Sequence, residues 1–307
     1  MGRLEDPDVG SVCDTDPVDT DPVDTDAVAA DGAENGVQMT GREMLDRRGY
    51  LLDFDSDFDG AGDGPGGLDT AQWIPHYLPQ WSSREASGAR YSIADGLLTL
   101  RIDADQPPWS PEYDGTLRVS NLQTGVRSGP RGSGSGQHPF RGDLVVREAQ
   151  ETQLLYTPRY GLIELRARAS SDPHSMVALW LIGVESAPQQ SAEICVMEIF
   201  GSELGHQGAR VGMGVHPFND PAILDDFEKV TMGGDATDFH VYSAEWSPRG
   251  VRFYIDDVLV RETAQSPDYP MQLMLDIFHF PPDGDAAGAG DYPKEFQVDW
   301  VRGYAPR

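Results

Sequence analysis

The stretch Glu193-Ile194-Cys195-Val196-Met197-Glu198-Ile199 decides how this sequence is interpreted, because it places two carboxylates inside an apolar, strand-like run. An unpaired carboxylate is costly to bury, so two of them here need a physical reason. In a regular strand, side chains at an odd separation face opposite sides, and Glu193 and Glu198 would diverge. One β-bulge between them returns both to a common face, and bulges are enriched beside active sites. The sequence therefore predicts a bulged strand that presents both glutamates together.

Two carboxyl groups on one face suit the hydrolysis of a glycosidic bond. One donates a proton to the leaving oxygen, while the second attacks the sugar or activates water. By itself the heptapeptide also fits a strand with one paired carboxylate and one that faces solvent. The rest of the chain favours the catalytic interpretation.

The chain resembles glycoside hydrolase family 16, whose signature reads Glu-Ile-Asp-Ile-Met-Glu where this sequence has EICVME at 193–198. Four further segments follow the family's order: YGLIELRAR at 160–168, ALWLIG at 178–183, the FHVY, EWSP and FYID run between 239 and 256, and FQVDWVR at 296–302. This resemblance, collinear over most of residues 50–307, implies an all-β fold. The expected architecture is a two-sheet β-sandwich jelly roll of the concanavalin A-like type, with a glycan cleft on its concave sheet.

The resemblance also implies a retaining, endo-acting glycosidase that cleaves internal β-glycosidic bonds of a polysaccharide, with β-1,3- or mixed-linkage glucan favoured. Glu193 would be the nucleophile, and Glu198 would protonate the leaving oxygen and then activate water. Cys195 occupies the place of the family's central aspartate, and a neutral thiol is only a weak hydrogen-bonding group. Two alternatives remain open: a glycan-binding jelly roll without catalysis, and a transglycosylase that uses the same covalent intermediate.

Five residues are candidates for sugar binding. Trp180 lies just before the signature, where family members place a cleft tryptophan. Trp109 lies in a turn-rich loop and would either clamp a sugar or plug the core. His216 aligns with a cleft histidine of the family. Asn121 and Arg141 lie in polar runs suited to the edge of a cleft, although solvation of a loop explains them equally well.

Composition limits the partners. The net charge of −28 and the pI near 4.3 argue against nucleic acid and an anionic membrane surface, and favour a polysaccharide or oligosaccharide substrate. Lys229 and Lys294 are the only lysines, and a lysine-poor acidic surface is typical of proteins that stay soluble in high salt. The histidines lack metal-ligand spacing, so we expect no cofactor. A structural calcium ion is compatible with the sequence, but nothing indicates one.

The chain divides into two parts. Residues 1–45 carry DTDPV repeats and are expected to form a disordered acidic tail. Residues 46–307 are expected to form one monomeric jelly-roll domain, with hairpin turns at Asp95-Gly96 and Asp256-Asp257. No disulfide is expected between Cys13 and Cys195. Because no signal peptide is visible, a cytoplasmic location is the default expectation, and an extracellular one would follow if the start were misassigned.

Overall fold

Two antiparallel β-sheets stack face to face in a computed structural model that describes residues 43–205, 208–282 and 291–307. Strands are numbered in chain order. The strands of the eight-stranded sheet are β1 (Tyr50–Ser56), β2 (Arg90–Ala94), β3 (Leu97–Ile102), β7 (Gly161–Arg168), β13 (His240–Ser247), β14 (Gly250–Ile255), β15 (Val258–Thr263) and β17 (Lys294–Pro306). They lie in the order β15-β14-β13-β7-β17-β3-β2, with β1 also paired to β17.

The seven-stranded sheet carries the predicted signature strand. Its strands are β4 (Arg118–Gln123), β8 (Ser175–Gly183), β9 (Glu193–Phe200), β10 (Leu204–Gly205), β11 (Gly208–His216), β12 (Asp226–Met232) and β16 (Met271–His279). They lie in the order β10-β11-β9-β8-β16-β4, with β12 paired to β11. A short third pair joins β5 (Gly125–Val126) to β6 (Gln153–Leu154).

Helical structure is sparse in the described ranges. One α-helical turn, α1, spans Pro111–Asp114, and short 3-10 turns occupy Arg47–Gly49, Pro65–Gly67, Pro79–Trp81 and Gly201–Glu203. None of the described helices is both long and apolar enough to cross a membrane. The predicted all-β, two-sheet jelly roll is confirmed.

Both predicted hairpins form with the expected turns. Asp95 and Gly96 join β2 to β3 with φ values of 53° and 73°, and Asp256 and Asp257 join β14 to β15 with 48° and 67°. Two consecutive left-handed residues define the turn whose twist matches that of the paired strands. Glycine adopts this backbone because it lacks a Cβ atom, and aspartate does so because its short side chain can hydrogen-bond locally, so the turns were predictable from sequence.

The seven-stranded sheet is covered on both faces. Its inner face packs against the eight-stranded sheet through residues such as Leu179, Ile194 and Val196. Its outer face carries a second apolar cluster that includes Trp180 and Cys195, together with residues from the loops. Every residue of β8 and β16 is buried as a result. Strands buried on both faces read as continuous apolar runs, and a carboxylate on either strand stands out.

The start of the described chain packs on the eight-stranded sheet. The backbone N–H of Leu45 donates to the carbonyl of Asp257 at 2.8 Å, and Leu45 is buried. Arg47 binds the buried carboxylate of Glu164 at 2.6 Å. Residues 1–42 of the predicted tail lie outside the described residues, whereas 43–45 belong to the packed domain.

Candidate active site

The predicted bulge is present in β9. Leu179 of β8 pairs with Met197, and the next residue, Trp180, pairs with Cys195, so Val196 is the extra residue. Val196 and Met197 both enter the core between the sheets. The residues on either side of this pair therefore share the outer face.

Both glutamates lie on that outer face and are almost fully enclosed. The exposed fraction is 1% for Glu193 and 2% for Glu198. Residues 127–148, here called the covering segment, pack over the outer face together with other loops. The ring of His138 from this segment stacks on Phe218 with centroids 4.4 Å apart, and its Nδ1 lies 3.4 Å from Glu193 Oε1. The site is closed to solvent in this structure, because the covering segment and other loops shield both carboxyl groups.

Glu185, just after β8, anchors the covering segment. Its Oε1 accepts a hydrogen bond of 2.6 Å from the backbone N–H of His138, and its carbonyl accepts one from Arg127. Gln137 of the same segment donates to Gln272 Oε1 at 2.6 Å. Burial raises the pKa of Glu185 to about 8, although the two donors oppose that effect.

The surroundings of Glu193 have opposing effects on its charge: His216 favours the ionised form, whereas burial and Cys195 favour the neutral form. His216 lies opposite Glu193 in the β9–β11 register, and its Nδ1 is 2.6 Å from Asp225 Oδ1. Burial alone would lower the pKa of His216, but Cys195, Glu193 and Asp225 together raise it to about 10. Burial, and then Cys195, raise the pKa of Glu193 well above its usual range, while His216 acts in the opposite direction. A protonated His216 thus offsets only part of the effect of burial and of the neighbouring Cys195, Glu198 and Glu185, which favour neutral Glu193.

A fourth buried acid, Asp276 of β16, lies on the same face as Glu193 and Glu198. Its carboxylate accepts hydrogen bonds from Trp180 Nε1 at 3.0 Å and from Asn121 Nδ2 at 2.7 Å. Burial raises the pKa of Asp276 well above its usual range, these two donors lower it, and Cys195 and Glu198 raise it further. The sequence interpretation missed Asp276, although one acid in the apolar run MQLMLDIFHF is the same signal that identified the glutamates.

Several polar atoms at this site are buried without a hydrogen-bond partner among the described residues. They are Nε2 of His138, Oε1 of Glu193, Oδ1 of Asn121 and Nε2 of His216. Each such atom costs about 1–3 kcal/mol, so the site is suited to a ligand that carries many hydroxyl groups. Within the described ranges, no three His, Cys, Asp or Glu side chains are grouped as metal ligands would be.

Comparison with known proteins agrees with this geometry. The family model for Glycosyl hydrolases family 16 matches residues 150–302, a range that contains β8, β9 and β16. The chain belongs to this family.

Individual family 16 relatives differ in length and named activity. A beta-glucanase from Rhodothermus marinus is 28% identical, with 78% of this chain and 88% of that protein covered. An endo-1,3-1,4-beta-glycanase from Rhizobium meliloti is 23% identical, and the match covers 78% of this chain but 44% of that protein. The solved structure of a GlcNAcα1-4Gal-releasing endo-β-galactosidase from Clostridium perfringens is 31% identical, with a TM-score of 0.71. That alignment covers 85% of this chain and 64% of the other.

The structure brings only some of the candidate residues to the site of this family 16 glycosidase. Glu193, Cys195, Glu198, Trp180 and Asn121 share one face of the sheet. Asn121 is fully buried on Asp276, although the sequence placed it at the edge of a cleft.

Two candidates are not presented to a sugar here. Trp109 is 1% exposed, donates to Asp114 Oδ2 at 2.8 Å and packs edge-on against Tyr77, so it plugs the core beneath the loops. The side chain of Arg141 is exposed and pairs with Asp143 at 2.9 Å. Neither side chain faces the carboxyl pair in this structure, because loop sequence does not determine the direction of a side chain, and a sugar contact by Trp109 or Arg141 stays a prediction.

Proposed function

We propose that this protein is an endo-acting, retaining glycosidase that hydrolyses internal β-glycosidic bonds of a polysaccharide. Glu193 attacks the anomeric carbon, and a covalent bond forms from its carboxylate oxygen to that carbon as the glycosidic C–O bond breaks. Glu198 gives its proton to the leaving oxygen. It then takes a proton from water, which attacks the same carbon and releases Glu193.

The observation that carries this proposal is the bulge at Val196, which puts Glu193 and Glu198 on one face with unlike neighbours. The positive charge of His216 lowers the pKa of Glu193, whereas burial, Cys195 and Glu198 raise it. A retaining glycosidase needs its nucleophile and its acid close together, and the bulge supports this by turning both side chains to the same face of β9.

For the substrate, we propose a β-1,3- or mixed-linkage β-glucan. The names of the Rhodothermus and Rhizobium relatives support this class. A β-galactose-containing glycan is the second candidate, because the endo-β-galactosidase structure is 31% identical. The test is a panel of both polymer classes assayed for new reducing ends, at low salt and at molar salt. Activity on the galactose polymers alone would replace the glucan assignment.

Stereochemistry tests the mechanism. Proton NMR on an accepted oligosaccharide should show the β-anomer first, and first appearance of the α-anomer would overturn the double displacement. Adding azide to alanine variants then distinguishes the nucleophile from the acid. The substrates for this experiment carry activated leaving groups. Glu198→Ala should yield a β-glycosyl azide, because azide needs no base to attack the glycosyl-enzyme. Glu193→Ala should yield the α-azide by direct displacement.

Two rivals predict different outcomes. A glycan-binding protein would release no reducing ends from any polymer, and Glu193→Gln would bind sugar as the parent does. A transglycosylase would give products longer than its substrate when they are sized. We expect shorter products whose formation disappears in Glu193→Gln.

A further inference from the structure

We propose that the ring of Phe218 forms part of a sugar subsite in front of Glu193, and that the ring of His138 occupies this subsite in the present structure. The covering segment then blocks its own active site, and the substrate competes with His138 for one space. This inference rests on the proposed function, because it takes Glu193 as the nucleophile. It assigns roles to two residues that lie outside the signature strand.

The His138 ring lies at the position that a reacting sugar would need. Its Nδ1 is 3.4 Å from Glu193 Oε1. In a substrate held ready for attack, the nucleophile lies about 3–3.5 Å from the carbon that it attacks. Glu193 Oε1 has no hydrogen-bond partner among the described residues, so no donor competes for its lone pairs. An anomeric carbon that approaches Oε1 would therefore meet the imidazole, and the sugar and the ring exclude each other.

Two aromatic side chains enclose the His138 ring. Phe218 stacks against its face, with centroids 4.4 Å apart and planes inclined by 13°, and Trp180 meets it edge-on at 5.4 Å. The face of an aromatic ring carries partial negative charge, which attracts the C–H groups on the face of a sugar ring. Phe218 and Trp180 both pack in the apolar cluster on the outer face of the sheet. Without the imidazole, the space has aromatic walls beside the nucleophile, which suits one sugar ring.

Charge does not hold His138 at Glu193. Burial lowers the pKa of His138 to about 3, so the imidazole is neutral near neutral pH. Neither of its ring nitrogens has a hydrogen-bond partner among the described residues. A buried polar atom left unpaired weakens the arrangement that contains it. A sugar brings several hydroxyl groups to the same space and can therefore displace the ring.

The backbone at this contact is also strained. His138, Glu185 and Phe218 have φ values of 53°, 55° and 50°, a left-handed conformation that favours glycine over residues with a Cβ atom. The three residues meet directly, because the N–H of His138 donates to the Glu185 carboxyl group at 2.6 Å and the His138 ring stacks on Phe218. Strain concentrated at one contact is typical of functional sites. Here it lowers the free energy needed to release the ring.

His138→Gly removes the ring and suits the backbone, because glycine adopts a φ of 53° at low cost. If the ring blocks the subsite, the apparent affinity for substrate rises once the block is removed. We expect KM for an accepted oligosaccharide to fall about tenfold, with kcat unchanged. His174→Gly is the matched control, because His174 is exposed, and it should change neither constant. A loss of kcat in His138→Gly would mean that His138 assists the chemistry, and would overturn the proposal.

The missing ring can be returned as a free molecule. Imidazole should fill the space left in His138→Gly and inhibit that variant competitively at millimolar concentration. It should leave the parent and His174→Gly unaffected. Adding Phe218→Leu to the His138→Gly chain keeps an apolar side chain but removes the aromatic face, so it should weaken the binding of both imidazole and the oligosaccharide. Equal inhibition of parent and variant, or binding that Phe218→Leu leaves unchanged, would contradict a shared subsite.

Binding without turnover separates this inference from the proposed function. In a Glu193→Gln background, calorimetric titration with oligosaccharides of both polymer classes compares the chain with and without His138→Gly. We expect about tenfold tighter binding when the ring is absent. His138→Asn repeats the comparison if glycine unfolds the segment, because asparagine also tolerates left-handed backbone and carries no ring. Equal affinity refutes the inference even if the enzyme is active. Tighter binding in a protein that cleaves no glycan would uphold the subsite and reject the glycosidase assignment.

Discussion

Glu185→Gln tests whether the anchor of the covering segment is buried as a neutral acid. Glu185 is 6% exposed, and its pKa rises from 4.5 to about 8 because of burial. At pH values between these two pKa values, the Glu185 carboxyl group is ionised in the unfolded chain but protonated in the folded protein. Stability therefore falls as pH rises through this window and levels off above pH 8. Glutamine has no proton to lose and can still accept from the backbone N–H of His138.

The pKa change sets the magnitude. For one group that titrates at 4.5 unfolded and near 8 folded, the linkage penalty is about 3 kcal/mol at pH 7 and about 1 kcal/mol at pH 5. Glu185→Gln should remove this penalty. Its free energy of unfolding relative to the parent should thus be about 2 kcal/mol more favourable at pH 7 than at pH 5. Any pH-independent change in stability caused by replacing the carboxyl group with an amide cancels when the two pH values are compared.

Urea unfolding at both pH values measures the effect. Glu151→Gln is the control, because Glu151 is exposed and should show no such pH-dependent gain. The reasoning would be refuted if the free energy of unfolding of Glu185→Gln relative to the parent were the same at pH 5 and at pH 7. It would mean that Glu185 is already ionised in the folded protein, and that the covering segment is held open or hydrated there.

Three further substitutions probe the closed site and its supports. His138→Ala removes a buried ring, so trypsin should cut the covering segment faster, as read by mass spectrometry; an unchanged rate would contradict the closed arrangement. Trp180→Phe keeps an aromatic ring but removes a donor to Asp276, and should cost about 1–3 kcal/mol in urea unfolding. Arg47→Ala leaves Glu164 buried without its ion pair and should lower the free energy of unfolding by about 3 kcal/mol. The double variant Arg47→Ala/Glu164→Leu should recover part of that loss.

Much of the sheet structure was predictable because its signals are local. The turns at Asp95-Gly96 and Asp256-Asp257 depend on residues that tolerate left-handed backbone. The bulge followed from the spacing of Glu193 and Glu198, once both were required on one face. Each inference needed only neighbouring residues and the two-residue period of a strand.

The enclosure of the site was not predictable in the same way. The covering segment is rich in glycine, serine and proline, and such a sequence indicates a loop without fixing where it packs. Its position depends on distant contacts, such as those between Gln137 and Gln272 and between His138 and Glu185. The directions of the Trp109 and Arg141 side chains were not predictable for the same reason.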